Sequence, residues 1–185
     1  MKKILITGAW ENFNYLYLSL LIFALDQATK ITVRFKMELY DEISVWGEFF
    51  KISYIENTKA AFGNGFESDL VNRIVFSCVK LLLIGVILWM LKRARSVWEK
   101  CAFALIIGGG VGNLIDRLLY GGVTDFLDFY FFNIFGWERW PTFNVADSAV
   151  VVAMFLLLIH AFFIERSERK KQKQGEQFTP PSAEI

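Results

Sequence analysis

The stretch VADSAVVVAMFLLLIHAFFI at residues 145–164 decides the fold class of this protein. Its length matches the roughly 20 apolar residues that a helix needs to cross the hydrocarbon core of a bilayer. Outward from this stretch, three further segments share its apolar character, at about residues 13–33, 72–91 and 101–119. The sequence therefore predicts an all-α membrane protein with four transmembrane helices.

The composition supports this prediction and excludes several other classes of protein. Hydrophobic residues make up 55% of the 185-residue chain, with 19 Phe and 6 Trp, which is more than a soluble domain usually carries. The net charge is only +1, so bulk charge indicates no nucleic acid partner. One His and two Cys are too few for a four-ligand zinc site or a disulfide scaffold.

Basic residues predict the orientation, because Lys and Arg accumulate in the cytoplasmic connections of membrane proteins. They cluster before the first span, between the second and third, and after the fourth: Lys2, Lys3, Lys92, Arg93, Arg95, Lys100, Arg166, Arg169, Lys170, Lys171 and Lys173. Both termini are therefore expected in the cytoplasm, and the connections at about 34–71 and 120–144 outside it. We expect residues 1–165 to form one membrane domain, with an uncleaved first span, and residues 166–185 to form a basic, disordered cytoplasmic tail.

The two outer connections are rich in aromatic residues. ISVWGEFFKISYIEN at 43–57 is β-branched and aromatic with a Gly break, which predicts two short strands. FLDFYFFNIFGWERWPTF at 126–143 suits either an aromatic belt that anchors helix ends or a surface that admits lipid or a membrane-embedded peptide. The sequence leaves both interpretations open.

Polar residues within the spans are costly, and by default they have a functional or pairing role. Asp26 and Lys30 share a helical face and form either an intrahelical ion pair or a brace for a site. Lys80 has no obvious partner in its own helix. The third span carries small residues that would let another helix approach, followed by Asn113, Asp116 and Arg117, for which an interfacial Asp–Arg pair is one reading.

Two carboxylates converge at one predicted depth. Asp125 follows the third span, while Asn144 and Asp147 open the fourth, where capping of the helix is a sufficient role for either residue. Two close carboxylates in a low dielectric cannot both ionise readily, so they can share a proton and activate a water molecule. His160 lies near the other end of its span, which argues against a Ser–His pair, and the metal ligands are few.

Five motifs together resemble the signal peptidase II family, the intramembrane aspartic peptidases of bacteria that process lipoproteins. They are DQATK at 26–30, NTKAAFG at 57–63, GNLIDR at 112–117, VTDF at 123–126 and FNVADSA at 143–149. The resemblance implies Asp125 and Asp147 as the catalytic dyad. It also implies a set of residues that shape the site or hold substrate: Asp26, Lys30, Asn57, Asn113, Asp116, Arg117 and Asn144.

The same resemblance implies an architecture and a substrate. A small extracytoplasmic β-cradle and a short helix would lie over the outer face of the four helices. The substrate would be a prolipoprotein with a diacylglyceryl-modified Cys, cleaved on the amino side of that Cys in the bacterial inner membrane. We expect a monomer in contact with membrane lipid, with no metal or other cofactor.

Lys59 departs from the family pattern, in which a small residue usually occupies that position. Two other classes compete with a peptidase. A proton-coupled membrane carrier would also place Asp and Lys within its spans, although the polar residues here cluster in the outer half. A noncatalytic scaffold would tolerate the loss of either aspartate.

Overall fold

A computed structural model describes residues 11–58, 69–134 and 136–176 of the chain. Its helices are α1 (Leu16–Lys36), α2 (Asp69–Arg93), α3 (Val97–Tyr120) and α4 (Val145–Glu176), with a short 3-10 helix at Asn12–Tyr15 before α1. Four segments are long and apolar enough to cross a membrane: Asn12–Lys36, Arg73–Arg93, Val97–Tyr120 and Val145–Ile164. The four predicted spans are confirmed.

Helix α3 lies at the centre of the helical bundle. The apolar window of α3 is 67% buried, against 11% in α2 and in the apolar part of α4, so the outer helices present apolar side chains that suit a lipid environment. Glycines in α3 permit close contact: a Cβ at Gly109 would lie 2.5 Å from the backbone oxygen of Ala146 in α4. The predicted role of the small residues in α3 is thus confirmed, because a larger residue would separate these helices.

A four-stranded antiparallel sheet packs at one end of the helices. Its strands are β1 (Glu42–Trp46), β2 (Phe50–Asn57), β3 (Val123–Ile134) and β4 (Trp137–Arg139), in the order β1-β2-β3-β4. The two strands predicted within 43–57 are confirmed, whereas β3 and β4 were not predicted from the aromatic run at 126–143. The label "all-α" is therefore wrong in part, because both long connections build strands that satisfy their backbone groups by pairing with each other.

The end of the helices that adjoins this sheet is called the sheet end below. At this end α1 leads into β1, β2 leads towards α2, and α3 and α4 flank β3 and β4. Gly121 ends α3 in the left-handed conformation (φ 86°), and its N–H donates to the Arg117 carbonyl. This backbone turn brings β3, and with it Asp125, back over the sheet end.

The opposite end carries the short 3-10 helix and the connection between α2 and α3. There the Asn12 side chain donates to the carbonyls of Leu91 and Ala94, at 3.1 and 2.9 Å. Helix α4 continues through residues 166–176, and the rest of the expected tail lies outside the described residues. The short helix expected near the sheet does not occur among the described elements, and residues 59–68 of that connection are outside them.

Candidate active site

Asn144 and Asp147 open helix α4 with reciprocal hydrogen bonds. The backbone N–H of Asp147 donates to Asn144 Oδ1 at 2.9 Å, and the backbone N–H of Asn144 donates to Asp147 Oδ2 at 3.3 Å. These two bonds satisfy amide groups that have no partner within the helix. The predicted capping is confirmed, and it holds the Asp147 carboxylate at the positive end of the helix dipole.

Asp125 lies on β3, almost fully buried, with 4% of its surface exposed. Asn57 on the neighbouring strand β2 donates to Asp125 Oδ2 at 3.2 Å. Burial raises the pKa of the Asp125 carboxyl to about 7, and the negative charge of Asp147 adds to the rise. Hydrogen bonds from Asn57 and Asn144 oppose this rise in pKa, because they stabilise the charged form. Asp125 can therefore carry a proton near neutral pH.

Asn144 also connects the two carboxylates to each other. Its side-chain amide donates to Asp125 Oδ1 at 2.7 Å, while its backbone N–H is the group that donates to Asp147. Asn144 itself is fully buried, so both bonds are shielded from water. The two aspartates therefore face one shared amide residue, although one lies on a strand and the other on a helix.

Asn113 in α3 extends this arrangement towards α1. Its side-chain N–H donates to Asp147 Oδ1 at 2.8 Å, while its Oδ1 accepts from the Lys30 ammonium at 2.8 Å. A cation can only face the oxygen of an amide, so Lys30 fixes which way the Asn113 amide points. The N–H of that amide is thereby directed at Asp147.

Lys30 is itself held by two buried carboxylates. Its ammonium lies 2.7 Å from Asp26 Oδ2 and 3.1 Å from Asp116 Oδ2, and all three side chains have no exposed surface. With Asn113, these partners use all three donors of the ammonium group. The predicted pairing of Asp26 with Lys30 is confirmed, and Asp26 also accepts from the N–H of Ala146 at 2.9 Å. The pair therefore braces the start of α4.

Three residues of this network were not predicted as site residues. Arg34 lies 3.0 Å from Asp116 and donates to the Thr124 hydroxyl at 2.8 Å, and Gln27 donates to Asp116 at 3.1 Å. The N–H of Thr124 donates to Asp116 at 3.2 Å, which holds the backbone beside Asp125. The sequence carried one signal for Arg34, since it continues the four-residue spacing of Asp26 and Lys30 along one helical face.

Asp116 and Arg117 are adjacent in sequence but have different partners. Asp116 pairs with α1 and not with Arg117, whose guanidinium lies 5.6 Å from the centre of the Phe76 ring. Arg117 nevertheless interacts electrostatically with Asp125 and Asp147. Lys59 lies outside the described residues. The described residues include no group of three or more His, Cys, Asp or Glu side chains arranged to hold a metal ion.

The fold and this site define a multi-pass membrane protein in which two carboxylates meet at one end of the helices. Comparison with known proteins identifies the family. The model of the family described as signal peptidase (SPase) II matches residues 18–163. The chain is 34% identical over 167 residues to the lipoprotein signal peptidase of Psychromonas ingrahamii, covering 89% of this chain and 94% of that protein. It is 42% identical over 154 residues to that of Borrelia duttonii, covering 81% and 89%.

Solved structures agree with these sequence matches. A bacterial membrane enzyme determined at 1.9 Å superposes with a TM-score of 0.70 and 27% identity, covering 80% of this chain and 92% of the other. The chain belongs to the signal peptidase II family. The predicted class of enzyme, a peptidase of the bacterial inner membrane, is confirmed, and no match supports a carrier.

Proposed function

We propose that Asp125 and Asp147 form the catalytic dyad of an endopeptidase that cleaves diacylglyceryl-modified prolipoproteins on the amino side of the modified Cys. The observation that carries this proposal is the double role of Asn144, which donates to both carboxylates at 2.7 and 3.3 Å. The side-chain amide of Asn144 holds Asp125 and its backbone N–H holds Asp147, so one residue keeps the two acids together without neutralising either one. Two carboxylates that are held close together can share a proton, as in the hydrolysis of a peptide bond by aspartic proteases.

The two aspartates take different roles in this proposal. Asp125 carries the proton, because it is buried and its pKa is raised to about 7. Asp147 is the base, since it is partly exposed and its carboxylate lies at the positive end of α4. Asp147 takes a proton from water as the water oxygen attacks the scissile carbonyl carbon, and Asp125 donates its proton to the carbonyl oxygen. The C–N bond then breaks, and the proton held by Asp147 passes to the leaving amine. One hydroxyl of the intermediate returns its proton to Asp125 as the new carboxyl group forms.

The proposed orientation of the protein in the membrane follows from the aromatic surface of the sheet. Large aromatic side chains at the sheet end are exposed, among them Trp46 at 72% and Phe132 at 64%. Aromatic rings of this kind settle at the headgroup level of a membrane. We place the sheet on the outer face, with both termini in the cytoplasm, as the basic residues near the opposite end favour. A lipid-anchored substrate then meets the dyad already oriented, which lowers the entropic cost of reaction.

We propose that the monomer is active. The side chains that contact Asp125 and Asp147 belong to Asn57, Asn113 and Asn144 of the same chain. The residues Asp26, Lys30, Asn57, Asn113, Asp116, Arg117 and Asn144 shape the site in this proposal.

Cleavage by the purified full chain tests the dyad. Asp125→Asn and Asp147→Asn should each lower turnover of a diacylglyceryl-modified prolipoprotein by at least about 10³-fold, because each removes one proton-transfer group. Binding of the substrate should persist. The matched control is Asp128→Asn, which changes another buried carboxylate on β3, one that pairs with Ser53 and Arg139.

Asp128→Asn should keep most of the activity, and comparable loss in all three variants would contradict the dyad. The unlipidated precursor, assayed beside the modified one, tests the proposed requirement for lipid. Equal cleavage of both precursors would contradict that part of the proposal.

A further inference from the structure

Lys80 of α2 is a charged residue in a membrane-spanning helix that the network above does not use. The described residues form no ion pair with it and no hydrogen bond to its ammonium group, whereas Asp26, Lys30 and Asp116 all have partners. An unpaired cation within an apolar helix costs free energy, and such residues usually have a functional role.

Lys80 lines a cavity that Asp147 also lines. The cavity has a volume of about 250 Å³ and lies between α2, α3 and α4, with Asn113 and Asp147 on its wall. The rest of the wall is mainly apolar, formed by Leu83, Ile84, Ile87, Ile106, Ile107 and Val150. A cavity of roughly 150 Å³ lined by apolar side chains is enough to bind benzene, so this one can hold an apolar side chain together with its backbone carbonyl.

The charges around Lys80 come from all three neighbouring helices. Asp147 in α4 and Asp116 in α3 attract it, while Arg117 in α3 and Lys30 in α1 repel it. Asp116 and Lys30 are already engaged with each other. The ammonium therefore lies in a space beside Asp147 in which an incoming oxygen atom would be its acceptor.

Hydrolysis places such an oxygen there. When the C–N bond breaks, the oxygen of water stays on the signal peptide, whose last residue then ends in a carboxylate. That carboxylate forms next to the carboxylate of Asp147, and two close anions in an apolar environment repel each other strongly. We propose that Lys80 binds the carbonyl group of the residue before the scissile bond and then the new carboxylate of the released signal peptide. This inference rests on the proposed function, since it requires cleavage beside Asp147.

The test measures binding and not turnover, so that it is independent of which groups transfer protons. The probes are two synthetic signal peptides that end at the residue before the modified Cys, one with a free carboxylate and one with a carboxamide. The wild-type full chain in detergent should bind the carboxylate about tenfold more tightly, because hydrogen bonds to charged groups are the stronger ones. Equal binding of the two peptides by the wild type would overturn the proposal without any variant.

Variants at position 80 then assign the preference to Lys80. Lys80→Arg should keep the tenfold ratio and Lys80→Met should lose it, while Lys100→Met, a change at the opposite end of α3, should leave it unchanged. An unchanged ratio in folded Lys80→Met would overturn the proposal. If Lys80→Met does not fold, Lys80→Gln replaces it in the same comparison. A failed dyad would instead appear as cleavage by Asp125→Asn, with the binding ratio of the wild type intact.

Discussion

Asp26 and Asp116 differ from Asp125 and Asp147 in the groups that donate to their carboxylate oxygens, although all four lie at the sheet end. The first two face the Lys30 ammonium, and Asp116 also faces Arg34. The second two accept hydrogen bonds from neutral amides: from Asn57, Asn113 and Asn144.

This difference separates a structural role from a chemical one. A buried carboxylate in an ion pair with a cation ties together the elements that carry the two groups, because separating them would leave an uncompensated buried charge. A carboxylate held by amide donors is fixed in place without an ion pair to the donor. The paired aspartates therefore brace the site, and the amide-bonded pair is suited to the reaction.

The largest effect on folding is expected from removing the cation of the paired cluster. Lys30→Met would leave Asp26 and Asp116 buried beside each other without the ammonium between them, and should destabilise the fold by about 3–5 kcal/mol. Thermal unfolding of the purified protein in detergent measures this change. The control is Lys51→Met on the sheet, because the partners of Lys51, Glu42 and Glu48, are largely exposed. Similar melting temperatures for the two variants would mean that the buried cluster does not brace the fold.

The second largest effect is expected at Asn144, which donates hydrogen bonds to both Asp125 and Asp147. Asn144→Ala removes the donor to Asp125 and the cap of α4, so cleavage should fall by about 100-fold and stability by about 1 kcal/mol. Asn144→Ser separates the two roles, because a serine hydroxyl caps a helix but is too short to replace the amide that reaches Asp125. It should recover stability and not activity. Full recovery of both would contradict the bridging role of Asn144.

The smallest effect is a shift in pH dependence. The pKa of Asp125 is raised to about 7. In the proposed mechanism this residue acts in its protonated form, so cleavage should decline as the pH rises through that value. Asn57 stabilises the ionised form, so Asn57→Ala should raise the pKa of Asp125 further and move the decline upward by about one pH unit or less.

The matched control for this shift is Ser53→Ala, which removes a hydrogen bond to Asp128 instead of one to Asp125. Initial rates measured from about pH 5 to 9 would reveal the shift. A decline that moves downward in Asn57→Ala, or that moves equally in Ser53→Ala, would argue against Asp125 as the proton carrier.

The raised pKa of Asp125 should also make the stability of the fold depend on pH. The pKa of Asp125 is raised in the folded state from its ordinary value of 3.8 to about 7, so its contribution to stability is fully present below about pH 4 and is lost as the pH rises to about 7. The wild type should therefore lose stability relative to Asp125→Asn between about pH 4 and 7, because Asn cannot ionise. A constant difference across that range, in the same thermal unfolding assay, would mean that Asp125 is not buried as a neutral acid.

Local patterns predicted much of the fold and part of the site. The four spans, the strands within 43–57 and the cap at Asn144 and Asp147 all follow from residues close together in the chain, because helix length, strand alternation and capping are short-range properties. The strands β3 and β4 escaped prediction. Their aromatic residues suit both a membrane interface and a strand, and it is the pairing of β3 with β2 that makes it a strand.

Partner choice, by contrast, depends on contacts between distant parts of the chain. Asp116 is adjacent to Arg117 in sequence, yet it pairs with Lys30 and Arg34 because the glycines of α3 bring α1 close: a Cβ at Gly112 would lie 2.5 Å from Asp26 Oδ2. Lys80 shows the same dependence, since it is the cavity between α2, α3 and α4 that places Lys80 and Asp147 on one wall. The amino-acid sequence alone determined which segments can enter the membrane, because the hydropathy of a segment is the sum of the contributions of neighbouring residues. Which acids were paired with a cation, and which stayed free to carry a proton, was settled by helix packing.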